Sequence, residues 1–211
     1  MTGGTWPDGM SSRYRLFRRV VVTLGRFFLG LTIHGGENAP ERGPLVVASN
    51  HRRFFDPVFV CLAVPRRIQW MAKKELFVPG LRRFFTFLGA FSVDRQGGGR
   101  AALRIALTFI TDGSALGIFP EGTRRKDGAS SEAKSGAVML AVRGNARVLP
   151  VYIGRIPGPA ARLRGEKFRV YVGEPVTMDQ NLRGRQEYRD AADDLLHTIY
   201  ALPERELEDR G

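Results

Sequence analysis

The chain has 211 residues and is 43% apolar, which suits one domain with a sizeable core. Its 33 Lys and Arg against 21 Asp and Glu leave a net charge of +12. A surface of that kind attracts polyanions: an anionic bilayer, an acidic carrier protein, nucleic acid or a phosphorylated substrate. Cys61 is the one cysteine, so an intrachain disulfide is excluded and a reducing compartment is expected.

Taken in order, residues 1–12 are rich in Gly, Ser and Thr and read as a disordered leader. From Arg13 to Ile33 the spacing predicts an amphipathic helix. At about 100° per residue, Phe17, Val20, Val21, Leu24, Phe27, Phe28 and Leu31 share one face. Arg15, Arg19 and Arg26 fall opposite, with Arg18 at the edge. Charge-free apolar runs such as Val20–Gly25 are far shorter than the roughly 20 residues a membrane span needs. No small-residue cleavage site follows, so neither a span nor a signal peptide is expected. The pattern fits a helix lying in a membrane interface, and equally one packed on its own domain.

The main domain is expected over residues 34–202, with a charged tail at 203–211. Leu45–Ala48 reads as a buried strand. Asp56-Pro57 reads as a helix N-cap followed by Pro at the first helical position, opening a helix to Ala63. Strands are expected at Arg67–Met71, Phe91–Val93, Ala115–Phe119, Arg147–Ile153 and Lys167–Val172. Helices are expected at Leu81–Leu88, Arg100–Thr111, Lys134–Arg143 and Glu187–Ala201, with a polar loop over Pro120–Ser131. Alternation of strands with helix-length crossovers predicts a single α/β domain, its sheet largely parallel or mixed and flanked by helices. Active residues of such sheets lie in loops beyond the carboxyl ends of strands, where His51, Arg95 and Glu121–Arg124 fall.

Two stretches share a build in which an apolar strand runs into a polar loop. One is Ser49-Asn50-His51-Arg52-Arg53-Phe54-Phe55-Asp56-Pro57, and the other is Ile118-Phe119-Pro120-Glu121-Gly122-Thr123-Arg124. The first offers an imidazole and a carboxylate five residues on. On a continuous helix these would lie about 140° apart, so they meet only across a turn. A neutral imidazole held at one nitrogen by a carboxylate takes a proton from a hydroxyl with the other. Read singly, His51 is a polar loop residue and Asp56 a helix cap. His34 and His197 show no metal-ligand spacing, so no metal is expected. Cys61, among apolar neighbours, reads as a small core residue, with an acyl-carrying thiol as the alternative.

Asn50-His51-x-x-x-x-Asp56 resembles the signature motif of the glycerolipid acyltransferases, whose best-known members are the 1-acylglycerol-3-phosphate (lysophosphatidate) acyltransferases. Gly89-Ala90-Phe91-Ser92-Val93-Asp94-Arg95 resembles the second motif of that family. Phe119-Pro120-Glu121-Gly122-Thr123-Arg124 resembles the third, and Val148-Leu149-Pro150-Val151 the fourth. Met71-Ala72-Lys73-Lys74-Glu75-Leu76 and Lys134-Ser135-Gly136 look like its connecting segments. The resemblance runs from about Pro44 to Ile153.

It implies an α/β fold with its site toward a membrane, and an O-acyltransferase making phosphatidate. His51 would be the general base and Asp56 its orienting partner, with direct attack on an acyl thioester and no acyl-enzyme. Arg95, Arg124 and Lys73 would bind the acceptor phosphate, a task suited to the arginine fork. Glu121, Gly122 and Thr123 would shape the acceptor pocket. The thioester, acyl-CoA or acyl carrier protein, is a co-substrate and no further cofactor is expected. The implied partners are a lipid acceptor, an anionic bilayer surface and acyl carrier protein, without nucleic acid. The implied place is the cytoplasmic side of the cell membrane, held peripherally.

Many members carry Ser where this chain has Arg53 and Arg125, so both positions add positive charge near the phosphate site. Alternative acceptors are another lyso-lipid or glycerol 3-phosphate. A reading from a different class is a non-catalytic basic module binding membrane or nucleic acid. The basic, aromatic-interleaved segment Arg66–Phe87 is expected either to meet headgroups or an acidic carrier, or to be a solvated face over core aromatics.

Overall fold

Burial on both faces explains the continuous apolar run at residues 45–48. It forms β2 (Leu45–Ser49), a central strand flanked by β5 (Ala115–Ile118) and β6 (Arg147–Ile153), both parallel to it. The computed structural model describes residues 10–93, 99–122 and 133–208. Within them the other strands are β1 (Thr32–His34), β3 (Ile68–Lys73), β4 (Ala90–Val93), β7 (Arg169–Val172) and β8 (Val176–Thr177). The sheet order is β1-β7-β6-β2-β5-β3-β4, with β8 also pairing β6. All neighbours are parallel except β6 with β7 and β6 with β8, so the sheet is mixed and mostly parallel. Pro150 sits in β6 between the stretches paired with β8 and with β7. Its carbonyl accepts from Gly173 N–H at 2.9 Å on that side, where its own missing donor leaves no ladder bond unmade.

Strand alternation feeds two cores. Leu45 and Val47 face α2 (Asp56–Ala63) and α1 (Ser12–Leu29), while Val46 and Ala48 face α4 (Gly99–Thr111), α5 (Gly136–Arg143) and α7 (Gly184–Glu208). The short helix α3 (Leu81–Phe87) packs on the edge strand β4. Gly117 in β5 has a spatial reason to be glycine. A Cβ there would lie 2.5 Å from the ring of Trp70, which needs that space.

Several expected boundaries move. Met10 is buried and Ser11 caps α1 through its side chain, so the leader is already ordered at its last three residues. Gly30, left-handed at φ 61°, ends α1 and turns the chain into β1, a strand read from sequence as the end of the helix. The short helix α6 (Pro159–Leu163) and strand β8 also escaped the sequence reading, since neither is long enough to show a period. Helix α7 continues through Pro203 to Glu208, so the expected tail from 203 is largely helical.

Helix α1 carries two apolar faces rather than one. Tyr14, Val21, Val22 and Leu29 pack onto the domain. Leu16, Val20, Leu24, Phe27 and Phe28 point outward, Phe27 at 75% and Phe28 at 65% exposure. Arg18 faces inward: Nε donates to Cys61 O at 3.3 Å and Nη2 to Leu62 O at 2.6 Å. It thereby satisfies carbonyls at the C-terminal end of α2, where a cation also suits the helix dipole. No helix of the described residues is long and apolar enough to cross a membrane.

Candidate active site

The parallel strands β2 and β5 end side by side, and their following loops build the site. Asn50, fully buried, continues the β2–β6 ladder with its side chain. Its Nδ2 donates to Ile153 O at 3.0 Å and its Oδ1 accepts from Ile153 N at 2.7 Å. That amide pair pins the chain one residue before His51.

His51 is held on three sides. Nδ1 lies 3.0 Å from Asp56 Oδ2, and the backbone N–H donates to Glu121 Oε2 at 3.2 Å. The imidazole stacks on Phe119 at 4.0 Å between centroids and 16° between planes, and Phe119 in turn stacks on Trp70. The side chain remains 16% exposed. With Nδ1 turned to the Asp56 carboxylate, Nε2 is the ring nitrogen that this carboxylate leaves unengaged.

Asp56 is not the helix cap that its Asp-Pro sequence suggests. Phe55 occupies the cap position and Asp56 is the first residue of α2. Its Oδ2 turns back to accept the backbone N–H groups of Arg52 at 2.5 Å and Arg53 at 2.6 Å as well as His51 Nδ1. The carboxylate is fully buried, and Oδ1 has no hydrogen-bond partner among the described residues. The loop therefore folds around one oxygen, which brings together two residues a straight helix would separate.

The second loop is shaped by Gly122. It sits at φ 71° and donates to Phe119 O at 2.9 Å, and a Cβ there would lie within 2.5 Å of the Lys134 side chain. That turn brings Glu121 inward to 2% exposure. Oε1 accepts from the hydroxyl of Tyr200 at 2.6 Å while Oε2 takes the His51 N–H.

Lys73 is exposed at the carboxyl end of β3, opposite Val93 of β4. Arg95, Thr123 and Arg124, and with them Arg125 and most of the expected polar loop, lie outside the described residues. Arg53 is half-buried, and its Nη1 is buried without a partner among the described residues. Beside it Phe54 and Phe55 are exposed at 46% and 62%. Leu81 and Phe84 of α3 are exposed too, while Arg67, Arg82, Arg83, Thr86 and Phe87 line a shallow hollow of about 470 Å³. Arg66, by contrast, is buried, with Nη2 donating to Gly43 O and Gly113 O at 2.6 Å each.

The acyltransferase family model matches residues 30–154, more than half of the chain. The chain belongs to the acyltransferase family. The 1-acyl-sn-glycerol-3-phosphate acyltransferase of Bacillus subtilis (strain 168) is 32% identical over 150 residues, covering 70% of this chain and 74% of that protein. The human 1-acyl-sn-glycerol-3-phosphate acyltransferase alpha is 32% identical over 123 residues, 56% of this chain and 44% of its own. Among solved structures, the 1-acyl-sn-glycerophosphate acyltransferase of Thermotoga maritima shares the fold, with a TM-score of 0.63 and 24% identity. That match covers 94% of this chain and 85% of the other.

In this acyltransferase the histidine and aspartate of the first motif are thus in contact, and the third motif braces them. Cys61 makes a poor acyl carrier. It is buried, its Sγ accepts from Trp70 Nε1 at 3.3 Å, and burial pushes its thiol pKa up, away from the thiolate. Three contributors escaped the sequence reading: Asn50 as a clamp, Phe119 as the stacking platform and Tyr200. The first two lie inside the first and third motifs. Tyr200 is 79 residues from Glu121, and no local pattern marks it.

Proposed function

We propose that this chain moves a fatty acyl group from an acyl thioester, acyl-CoA or acyl carrier protein, to the free hydroxyl of 1-acylglycerol 3-phosphate, giving phosphatidate. The observation that carries the reading is the Asp56–His51 pair: a buried carboxylate on Nδ1 leaves Nε2 as the base. In the reaction, Nε2 takes the proton of the acceptor hydroxyl as its oxygen attacks the thioester carbonyl. The tetrahedral intermediate collapses by breaking the C–S bond, and the departing thiolate recovers the proton from the imidazolium. Asp56 stabilises that imidazolium because its charge is fixed beforehand by two backbone N–H groups.

Arg124 and Arg95 are assigned to the acceptor phosphate by their places in the family motifs and Lys73 by its place in a connecting segment, with Thr123 and Gly122 lining the acceptor pocket. The reaction takes place at an anionic bilayer on the cytoplasmic side, with the protein held peripherally. Support comes from the outward apolar stripe of α1, from exposed Phe54 and Phe55 beside the site, and from the net charge of +12.

The direct test mixes the protein with acyl-CoA or acyl carrier protein thioester and 1-acylglycerol 3-phosphate, following thiol release and phosphatidate by mass spectrometry. Both should appear together, and His51→Ala should reduce them by about 10² to 10⁴-fold without unfolding the protein. A folded parent protein that releases no thiol with either donor overturns the reading. The acceptor is tested separately. Arg124→Ala should cost about 10- to 150-fold with the phosphate-bearing acceptor, the worth of a charge-assisted hydrogen bond, and little with an acceptor lacking phosphate. Equal losses on both would point to another lipid hydroxyl.

A further inference from the structure

Helix α7 lies outside all four motifs and outside the family match, yet it reaches the catalytic loop. Ala192, Leu195 and Ile199 lie along its buried face and pack against α5 and the sheet, which fixes the rotation of the helix. Tyr200, one residue further round, is thereby directed at the third-motif turn. Asp193 adds an anchor, accepting Ala133 N–H at 3.1 Å just before α5.

The Tyr200 hydroxyl donates to Glu121 Oε1 at 2.6 Å, a short, charge-assisted bond. Glu121 is 2% exposed, so solvent does not orient its carboxylate. Its other oxygen accepts the N–H of His51, the residue whose side chain Asp56 holds. A free carboxylate rotates about its last torsion. With Oε1 fixed by Tyr200, Oε2 has one place to be.

We propose that Tyr200 is a positioning residue for acyl transfer, acting through Glu121 to fix the backbone of His51; this rests on His51 being the base. The Tyr200 ring meets Tyr152 edge-on at 5.6 Å, so its hydroxyl and its ring are separable contributions. Tyr200→Phe removes the first and keeps the second.

The test has one arm with turnover and one without substrate. In Tyr200→Phe, kcat should fall about ten-fold, the lower end of what a hydrogen bond to a charged group supplies, with KM for donor and acceptor within about two-fold of the parent. Amide hydrogen exchange at His51, followed in the substrate-free protein, should speed up by about ten-fold or more while the core amides of β2 are unchanged. Glu121→Gln should reproduce both effects, and adding Tyr200→Phe to it should cost no more than about two-fold further, because both act through one contact. Tyr152→Phe, which alters the same ring cluster and leaves the Tyr200–Glu121 pair in place, should change neither readout. Unchanged His51 exchange in Tyr200→Phe, or full additivity with Glu121→Gln, would overturn the proposal. A parent protein without acyl transfer would count against the proposed reaction instead, and the exchange arm would still decide whether Tyr200 holds the loop.

Discussion

Among the described residues, Asp56 makes three hydrogen bonds with one oxygen and none with the other, and that asymmetry predicts how a substitution behaves. In Asp56→Asn the amide oxygen can take the place of Oδ2 and keep the loop folded. The amide N–H₂ then occupies the partnerless Oδ1 position, and the fixed negative charge behind the imidazolium is lost. Turnover should therefore fall by about 10- to 150-fold, the worth of a charged hydrogen bond, with the melting temperature lowered and acceptor KM little changed. A larger rise in KM than fall in kcat would show that Asp56 serves binding instead. Gly117 makes a second residue-scale case. Gly117→Ala places a Cβ against the Trp70 ring, which supports Phe119 and through it the His51 stack. Overpacking of this kind costs about 1–3 kcal/mol, and circular dichroism melts should register it alongside reduced turnover.

Helix α1 answers to two demands, and substitutions on its two faces should separate them. Replacing Phe27 and Phe28 with Ser should weaken binding to anionic vesicles in a cosedimentation assay and leave the melting temperature nearly unchanged, since both rings are exposed. Arg18→Ala should do the reverse, losing the bonds to the Cys61 and Leu62 carbonyls and lowering the melting temperature. The docked face also carries a pH signature. Burial raises the Tyr14 hydroxyl and the Cys61 thiol above their ordinary values, so the folded state holds both protons more tightly than the unfolded chain. Their contribution to stability is complete below the unfolded thiol's range of about 8.5 and declines as pH rises past it, further above the tyrosine range of about 10. Unfolding free energy measured from pH 7 to pH 11 should fall, and fall less steeply in Cys61→Ala. An identical slope in that variant would remove the thiol from the account.

At the scale of the whole molecule, the sheet places two sequence-distant loops at the carboxyl ends of adjacent parallel strands, and the helices hold them there from both faces. The same body carries a net charge of +12 beside exposed Phe54, Phe55, Leu81 and Phe84. Binding to anionic vesicles should therefore weaken as salt rises, because exposed charges are screened within about 8–10 Å at 0.1–0.15 M, while a residual apolar component persists. Salt-independent binding would assign the attachment to the apolar side chains alone.

Local chemistry determined much of this protein in advance. Residues 45–48 read as a buried strand because burial on both faces removes alternation, and the His51–Asp56 spacing announced a turn because no helix lets them meet. The motif residues carried the acyltransferase family for the same reason, since each block is a short contiguous run of the chain. Tertiary structure alone decided the rest. Arg18 and Arg66 look in sequence like their solvated neighbours, but become structural once helix ends and loop carbonyls converge on them. The face of α1 that meets the domain depended on where Tyr14 and Leu29 found partners, information no helical projection holds. Asp56 serves the loop rather than its helix because Arg52 and Arg53 fold back over it. The link from Tyr200 to His51 spans most of the chain, and it exists only because α7 packs across the sheet in one rotation.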